Sequence, residues 1–131
     1  MVVPSGFSVV TPYMFASDAD KLVAFLVDGL GGVEQLRSLR PDGRIATCQV
    51  SISGCTVMVG EVSAAYPAMP ASYYLYVENA DAAMRRAIEH GATLEMAVQD
   101  MPYQDRQGGV RDPAGNIWWI SQRLVDAPYA V

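Results

Sequence analysis

The sequence predicts an α+β fold made of two successive modules, each with the element order βαβββ. First, the pattern of strands and one amphipathic helix runs through twice in 131 residues. Second, the two predicted helices begin at matching dipeptides, Ala19-Asp20 and Ala80-Asp81, which lie about 61 residues apart. Third, a glycine follows each helix, Gly31 in the first module and Gly91 in the second. A diverged internal duplication explains all three observations.

The first module is predicted to open with a strand at residues 7–15. The polar run Ser17-Asp18-Ala19-Asp20 can cap a helix, and the apolar residues that follow it recur at helical spacing. Three strands then complete the module, at residues 33–40, 44–52 and 55–59. The turns between them are predicted at Pro41-Asp42-Gly43 and Ser53-Gly54.

Residues 61–70 carry two prolines and no hydrophobic period, which is typical of a linker. The second module is predicted as a strand at 72–77, a helix capped by Asn79-Ala80-Asp81, and strands at 93–99, 109–111 and 117–122. We therefore expect one domain over residues 1–131. Its parts are module one at about 7–60, the linker at 61–70, module two at about 71–123 and a tail at 124–131.

Composition excludes several classes of partner. The chain has a formal charge of −5 and scattered basic residues, so it gains little from a phosphate backbone, and we expect no nucleic acid partner. No apolar run is long enough to cross a bilayer, and the start of the chain lacks the pattern of a signal peptide, so we expect no membrane partner.

Cys48 and Cys55 are the two cysteines, and the expected hairpin register sets Cys48 opposite Val59 and Cys55 opposite Ile52. A disulfide between them is therefore not expected. No basic residue or histidine lies nearby in sequence to activate either thiol, which favours buried structural cysteines. Together with the missing signal peptide, this predicts a cytoplasmic protein.

Several motifs resemble those of one superfamily. They are Pro41-Asp42-Gly43-Arg44 before a strand, Val77-Glu78-Asn79-Ala80-Asp81 opening a helix, Glu89-His90-Gly91-Ala92 closing it, Asp105-Arg106, and the run from Val110 to Ile120 that contains Asp112-Pro113-Ala114-Gly115-Asn116 and Trp118-Trp119. Over about residues 7–123 the chain is similar to the vicinal oxygen chelate superfamily of glyoxalases, bleomycin resistance proteins and extradiol dioxygenases. It looks closest to the PhnB-like branch.

The resemblance implies that each βαβββ module curls its sheet into half of an open barrel, usually completed in a homodimer. The concave face would form the active or binding cleft. Many members hold a divalent metal there through His, Glu and Gln side chains, and the metal acts as a Lewis acid. In this sequence the four corresponding positions carry Thr11, Gln49, Ser72 and Trp119.

Such a set disfavours a metal. Of the four residues only Gln49 is a plausible ligand, because hydroxyls and a single amide hold divalent ions poorly. A shifted register could bring in Glu61 or Glu95. The one histidine, His90, ends the second helix and lies on the wrong element for a ligand. We expect no metal and no cofactor.

Strand alternation assigns the cleft without the metal. In the strand at residues 44–52, the apolar residues 48, 50 and 52 should face the helix, so the odd-numbered residues should face the cleft. On the last strand, Trp119 rather than Trp118 should face the cleft. This surface should be aromatic, rich in hydroxyl groups and uncharged. The predicted ligand-binding residues are Thr11, Tyr13, Thr47, Gln49, Ser72, Tyr74, Tyr76, Trp119 and Ser121. Arg106 is added as a contact to an anionic ligand group, although its neighbour Asp105 favours a structural ion pair or turn contact instead.

Three functions stay open from the sequence. The preferred hypothesis is a metal-free member of the superfamily that binds a small organic ligand, flat and either apolar or cationic, as a homodimer. The first alternative is a metal-dependent lyase, isomerase or dioxygenase whose ligands have been misplaced. The second is a degenerate member that serves as an interaction module.

Overall fold

The computed structural model describes residues 1–130 and contains two four-stranded mixed sheets with one helix against each. In the first module β1 is Tyr13–Ala16, α1 is Ala19–Asp28, β2 is Val33–Leu39, β3 is Ile45–Ile52 and β4 is Cys55–Glu61. In the second module β5 is Ser72–Tyr76, α2 is Ala80–Glu89, β6 is Thr93–Asp100, β7 is Asp105–Arg111 and β8 is Ile117–Arg123. The predicted α+β fold and the repeated βαβββ order are confirmed.

The two sheets share one topology. Their strand orders are β1-β4-β3-β2 and β5-β8-β7-β6, and in each sheet the first strand pairs in parallel with the fourth. The registers also repeat, because Tyr13 lies opposite Met58 in the first sheet and Tyr74 opposite Trp119 in the second. On the next strand, Gln49 faces Met58 and Gly109 faces Trp119. The modules therefore match position by position.

One apolar core joins the helices to the inner faces of the sheets. Phe25, Leu26 and Val50 are among its fully buried members in the first module, and Trp118 and Ile120 lie in its second-module part. Between the modules, Arg86 of α2 donates a hydrogen bond of 2.7 Å to the carbonyl oxygen of Asp28 at the end of α1. Among the helices of residues 1–130, none combines the length and apolarity that a bilayer crossing requires.

The first strand is shorter than the sequence predicted. Residues 7–12 lie outside β1, where Pro12 has no N–H to continue a ladder and the Thr11 hydroxyl donates to the carbonyl oxygen of Ser8 in a local turn. The segment still follows β4, since Gly6 and Pro12 accept backbone hydrogen bonds from Thr56 and Met58. The strand therefore begins only at Tyr13.

The helices begin differently from each other. Asn79 caps α2 as predicted, with its side chain accepting from the N–H of Ala82, but the side chain of Asp18 makes no capping hydrogen bond to α1. Glu61 of β4 takes that role, because its carboxylate accepts from the N–H groups of Asp18 and Ala19 at 3.0 Å. An anion at a helix N-terminus is favourable there.

Two boundaries of the predicted modules also move. Strand β4 continues to Glu61, so the linker starts one residue later, and β7 begins at Asp105 rather than at residue 109. Gly108 and Gly109 have low strand propensity, so the sequence does not predict a strand there. In the structure both glycines make room for large side chains, Met84 on one face of the sheet and Trp119 on the other. Val131, the last residue of the predicted tail, lies outside the described residues.

The turn between β7 and β8 is organised by Asp112, which is buried. Its carboxylate accepts from the N–H groups of Ala114 and Asn116, from the side-chain amide of Asn116 and from the indole N–H of Trp118, at 2.8 to 3.0 Å. Asn116 in turn accepts from the N–H of Ala71, just before β5. The turn thereby holds together the first residues of the two parallel strands β5 and β8.

Candidate functional site

Each sheet has an open face, which is the face turned away from its helix. In β8, Trp118 is buried in the core with its ring 4.9 Å from that of Tyr73, whereas Trp119 faces the opposite way and stays partly exposed. Tyr74 lies opposite Trp119 in the parallel pair and shares its face. The alternation used for the sequence prediction therefore holds along β5 and β8.

A cavity of about 340 Å³ opens on this face of the second sheet. Aromatic and methionine side chains form most of its wall, and the one polar side chain, Gln107, is buried and accepts a hydrogen bond from the Tyr103 hydroxyl. Its lining residues are Tyr74, Met96, Met101, Tyr103, Gln107 and Trp119. Such a wall suits a flat apolar ligand that needs few hydrogen bonds.

Trp119 can lie against the sheet only because its neighbour on β7 has no side chain. A Cβ atom on Gly109 would stand 2.8 Å from Cζ3 and 2.9 Å from Cε3 of the indole ring. These distances are far inside van der Waals contact. Gly109 therefore seats the ring as a flat floor of the cavity.

An ion pair adjoins the cavity on the same face. The Asp105 carboxylate is fully buried and accepts from Tyr74 at 2.5 Å, from Tyr129 at 2.8 Å and from Arg123 at 3.0 Å. The hydroxyl of Tyr76 lies 2.5 Å from that of Tyr129. Because the Tyr129 proton is directed at Asp105, Tyr76 donates to the Tyr129 oxygen.

The surroundings of Asp105 hold it ionised. Burial alone would raise the pKa of this carboxyl, but hydrogen bonds from Tyr74, Tyr129 and Arg123 outweigh it, so the pKa lies below its usual value. Burial, and then the hydrogen bond to Asp105, raise the pKa of Tyr74 to about 12. Both groups thus keep the charge states that their hydrogen bonds require at neutral pH.

This ion pair corrects two expectations. The open face of the second sheet is not uncharged, because Asp105 and Arg123 both lie on it. Arg106, expected to contact a ligand or Asp105, instead points to the helix side, where it pairs with Asp81 of α2 at 2.7 Å and with Asp100 at 3.0 Å. Adjacent residues of β7 face opposite ways, so Asp105 and Arg106 cannot share a face.

The predicted residues of the first module lie on the other sheet or in the loop that precedes it. The Tyr13 hydroxyl is 3.2 Å from the Thr47 hydroxyl on the open face. Gln49 lines a separate cavity of about 210 Å³ beneath residues 5–7. Thr11 lies in the loop before β1. None of these four lines the Trp119 cavity.

The remaining predicted residues belong to the second sheet. Tyr76 contacts Tyr129 beside the ion pair, and Ser121, opposite Tyr76 in β8, is fully buried on this face. Ser72 is exposed at the start of β5 and does not line the Trp119 cavity. The structure thus gathers Tyr74, Tyr76, Trp119 and Ser121 on one face.

The residues at the metal positions do not fit a divalent ion. Trp119 fills its position with a ring, and the Thr11 hydroxyl is used by a local turn. Of the two carboxylates that a shifted register could bring in, Glu61 caps α1 and Glu95 pairs with Arg111 at 2.9 Å. Across residues 1–130, no three His, Cys, Asp or Glu side chains converge as a metal-binding group.

Sequence reasoning missed half of this site. Met96 and Met101 line the cavity, but their sequence positions carry no signal that separates them from methionines of the core. Tyr103, Asp105 and Gln107 were missed because β7 was predicted to start only at residue 109. The sequence offered no clear signal for an earlier start, because residues that are uncommon in strands, Asp and Gly, occupy positions 105, 108 and 109.

Comparison with known proteins identifies the family. The profile of the Glyoxalase/Bleomycin resistance protein/Dioxygenase superfamily matches residues 7–120. The chain belongs to this superfamily. An uncharacterized protein of Mycobacterium bovis is 30% identical over 123 residues, which cover 86% of this chain and 81% of that protein.

Two solved structures share the fold. TioX from Micromonospora sp. ML1 superposes with a TM-score of 0.75 and 28% identity, covering 89% of this chain and 99% of TioX. TnmS3, described as an antibiotic binding protein from Streptomyces sp. CB03234, has a TM-score of 0.71 and 21% identity over 93% of this chain and 97% of its own. The chain thus shares its fold with a protein that is described as antibiotic-binding.

Proposed function

We propose that this protein is a metal-free binding protein for a flat organic molecule, apolar or cationic, which it holds on the open face of the second sheet. The observation that carries the proposal is the cavity floored by Trp119 and walled by Tyr74, Tyr103 and two methionines. Stacking on such rings needs neither metal nor nucleophile. The antibiotic-binding description of TnmS3 supports the same kind of activity here.

The donor set supports the metal-free part of the proposal. A hydroxyl, an amide and an indole cannot replace the water shell of a divalent ion as carboxylates and imidazoles do. We also propose that the protein belongs to the PhnB-like branch, and the motifs at residues 112–120 support this proposal. Two free cysteines, one buried and one exposed, fit the cytoplasmic location that we propose.

We also propose that the protein acts as a homodimer. Large apolar side chains remain exposed on both open faces and along β2, including Tyr13, Tyr76, Val33 and Leu36. A second copy would cover them and could bring the first-module residues Thr47 and Gln49 opposite the Trp119 cavity. The ligand would then contact residues of both sheets.

Replacing Trp119 by alanine should weaken ligand binding. We expect the cationic dye proflavine or the neutral dye Nile red to bind in the cavity, and we expect the substitution to raise the dissociation constant about tenfold through lost stacking. Fluorescence titration with each dye measures the dissociation constants of the unmodified chain and of the variant. The matched control is Leu94→Ala, which trims an exposed side chain of the same sheet outside the cavity. Equal affinities for the two variants would contradict the proposed site.

Native mass spectrometry of the purified protein tests the dimer and the metal together. We expect a species containing two 14.2 kDa chains and no stoichiometric zinc, nickel, iron or manganese. Adding these ions should leave the melting temperature unchanged, since an ion that binds only the native state would raise it. A single-chain mass at micromolar concentration would refute the dimer, and one metal per chain, lost in Gln49→Ala, would restore the enzyme hypothesis.

A further inference from the structure

The end of the chain folds back over the open face of the second sheet. We name residues 124–130 the C-terminal strap. Arg123 holds it, donating to the carbonyl oxygens of Ala127 at 2.8 Å and Pro128 at 3.2 Å, while its guanidinium carbon lies 4.1 Å from the ring centre of Tyr129. The strap thereby places the Tyr129 side chain beside the Trp119 cavity.

The groups that bind the Tyr129 side chain belong to the sheet or its loops. Its hydroxyl donates to Asp105 at 2.8 Å and lies 2.5 Å from the Tyr76 hydroxyl. Its ring packs edge-on against Tyr103 at 6.4 Å and accepts the cation of Arg123 on one side. The sheet thus presents a charged acceptor, a hydroxyl donor, an aromatic edge and a cation, arranged around a phenol.

We propose that Tyr129 is a built-in occupant of a phenol-binding subsite, and that a ligand carrying a hydroxylated aromatic ring displaces it. This inference rests on the proposed function and names the ligand class of that site. Tyr103 lines the cavity and also packs against Tyr129, and Tyr74 lines the cavity and donates to Asp105. A fused aromatic ligand on Trp119 would therefore reach the subsite with one ring.

Charge selects a phenol over an amine at this position. Arg123 already neutralises Asp105 at 3.0 Å, so an added ammonium group would meet the guanidinium as well as the carboxylate. A phenol satisfies Asp105 with a hydrogen bond and brings no charge. Its ring face also offers Arg123 a cation–π contact, as the Tyr129 ring does.

The strap lies at the surface, where a ligand can compete with it. Tyr129 is 46% exposed, and Leu124 and Val125 of the strap are exposed too. Removing Tyr129 from Asp105 leaves the carboxylate bonded to Tyr74 and Arg123. While the strap is docked, it lowers the apparent affinity for any ligand that needs the same subsite.

The test uses 4-methylphenol, which is the tyrosine side chain itself, and toluene, which lacks the hydroxyl. We expect Tyr129→Ala to bind 4-methylphenol at least about tenfold more tightly than the unmodified chain does, because the competitor is gone and the acceptor is free. The affinity of Tyr129→Phe for 4-methylphenol should lie between those of Tyr129→Ala and the unmodified chain, because this variant keeps the ring but lacks the hydroxyl. Titrations followed by NMR of the Tyr74 and Tyr76 backbone amides report the affinity.

The control is Tyr66→Ala, which removes an exposed tyrosine of the linker and should leave the affinity unchanged. Equal affinity of Tyr129→Ala and the unmodified chain for 4-methylphenol would overturn the subsite, as would equal affinity of Tyr129→Ala for toluene. If proflavine or Nile red still binds in that case, the proposed function stands without the phenol subsite. If neither dye nor 4-methylphenol binds, both proposals fail.

Discussion

Replacing Asp112 by alanine is expected to lower the free energy of unfolding by about 3–4 kcal/mol, because the buried carboxylate accepts four hydrogen bonds whose donors would lose their partner. The indole N–H of Trp118 is the most costly of these donors, since Trp118 lies in the core. For a chain of this size, a loss of that order lowers Tm by on the order of 10 °C. Thermal unfolding followed by circular dichroism measures it.

The first module supplies a matched control for this change. Asp42 occupies the turn between β2 and β3 and accepts one hydrogen bond, from the N–H of Arg44 at 3.0 Å, but it is exposed. Water can take the place of its carboxylate, so Asp42→Ala should shift Tm far less. Similar shifts for the two alanine variants would show that the Asp112 hydrogen bonds do not stabilise the fold.

Replacing Gly109 by alanine should push the Trp119 ring off the sheet. The added Cβ would overlap the ring at 2.8 Å, and overpacking of this kind costs about 1–3 kcal/mol. The affinity for the dyes should also decrease, since the Trp119 ring that forms the floor of the cavity moves. The chain has two tryptophans, so NMR shows two indole N–H signals, and only that of Trp119 should shift strongly.

A double-mutant cycle separates the ring contact from other effects of the glycine. With Trp119 already replaced by alanine, Gly109→Ala should cost little, because the overlapping atoms are gone. Gly108→Ala is the neighbouring control, since its Cβ would meet the flexible end of Met84 on the helix side and leave Trp119 in place. An unchanged Trp119 signal in Gly109→Ala would contradict the seating that we describe.

Much of the fold could be predicted from the sequence because local signals agreed with one another. Asn79 before an amphipathic stretch gave the start of α2, and the Asp112-Pro113-Ala114-Gly115-Asn116 run gave a turn. Alternation separated Trp118 from Trp119 on β8 because each side of that strand has a distinct environment. These features depend on residues close together in the chain.

The parts that escaped prediction depend on contacts across long stretches of chain. Glu61 caps a helix that begins about 42 residues earlier, and Asp105 pairs with Arg123 from another strand. The sequence shows Asp105 beside Arg106, so the nearer pair was the natural expectation. Tyr129 could not be placed at all, because residues 124–130 show no helix or strand pattern that would indicate the sheet to which they return.

The matched registers of the two sheets carry a consequence for how the halves of this chain can change. In the second sheet, Gly109, which has no side chain, lies opposite the large side chain of Trp119. At the corresponding position of the first sheet, Gln49 lies opposite Met58. A tryptophan in place of Met58 would need a glycine in place of Gln49, because a side chain at that position would overlap the indole ring, as a Cβ atom at position 109 would. The two positions must therefore be substituted together. The repeated modules thus allow one sheet to carry hydrogen-bonding side chains at this position while the other carries a ring on which a ligand can stack. The double substitution Gln49→Gly with Met58→Trp is the smallest change that would give the first sheet such a ring.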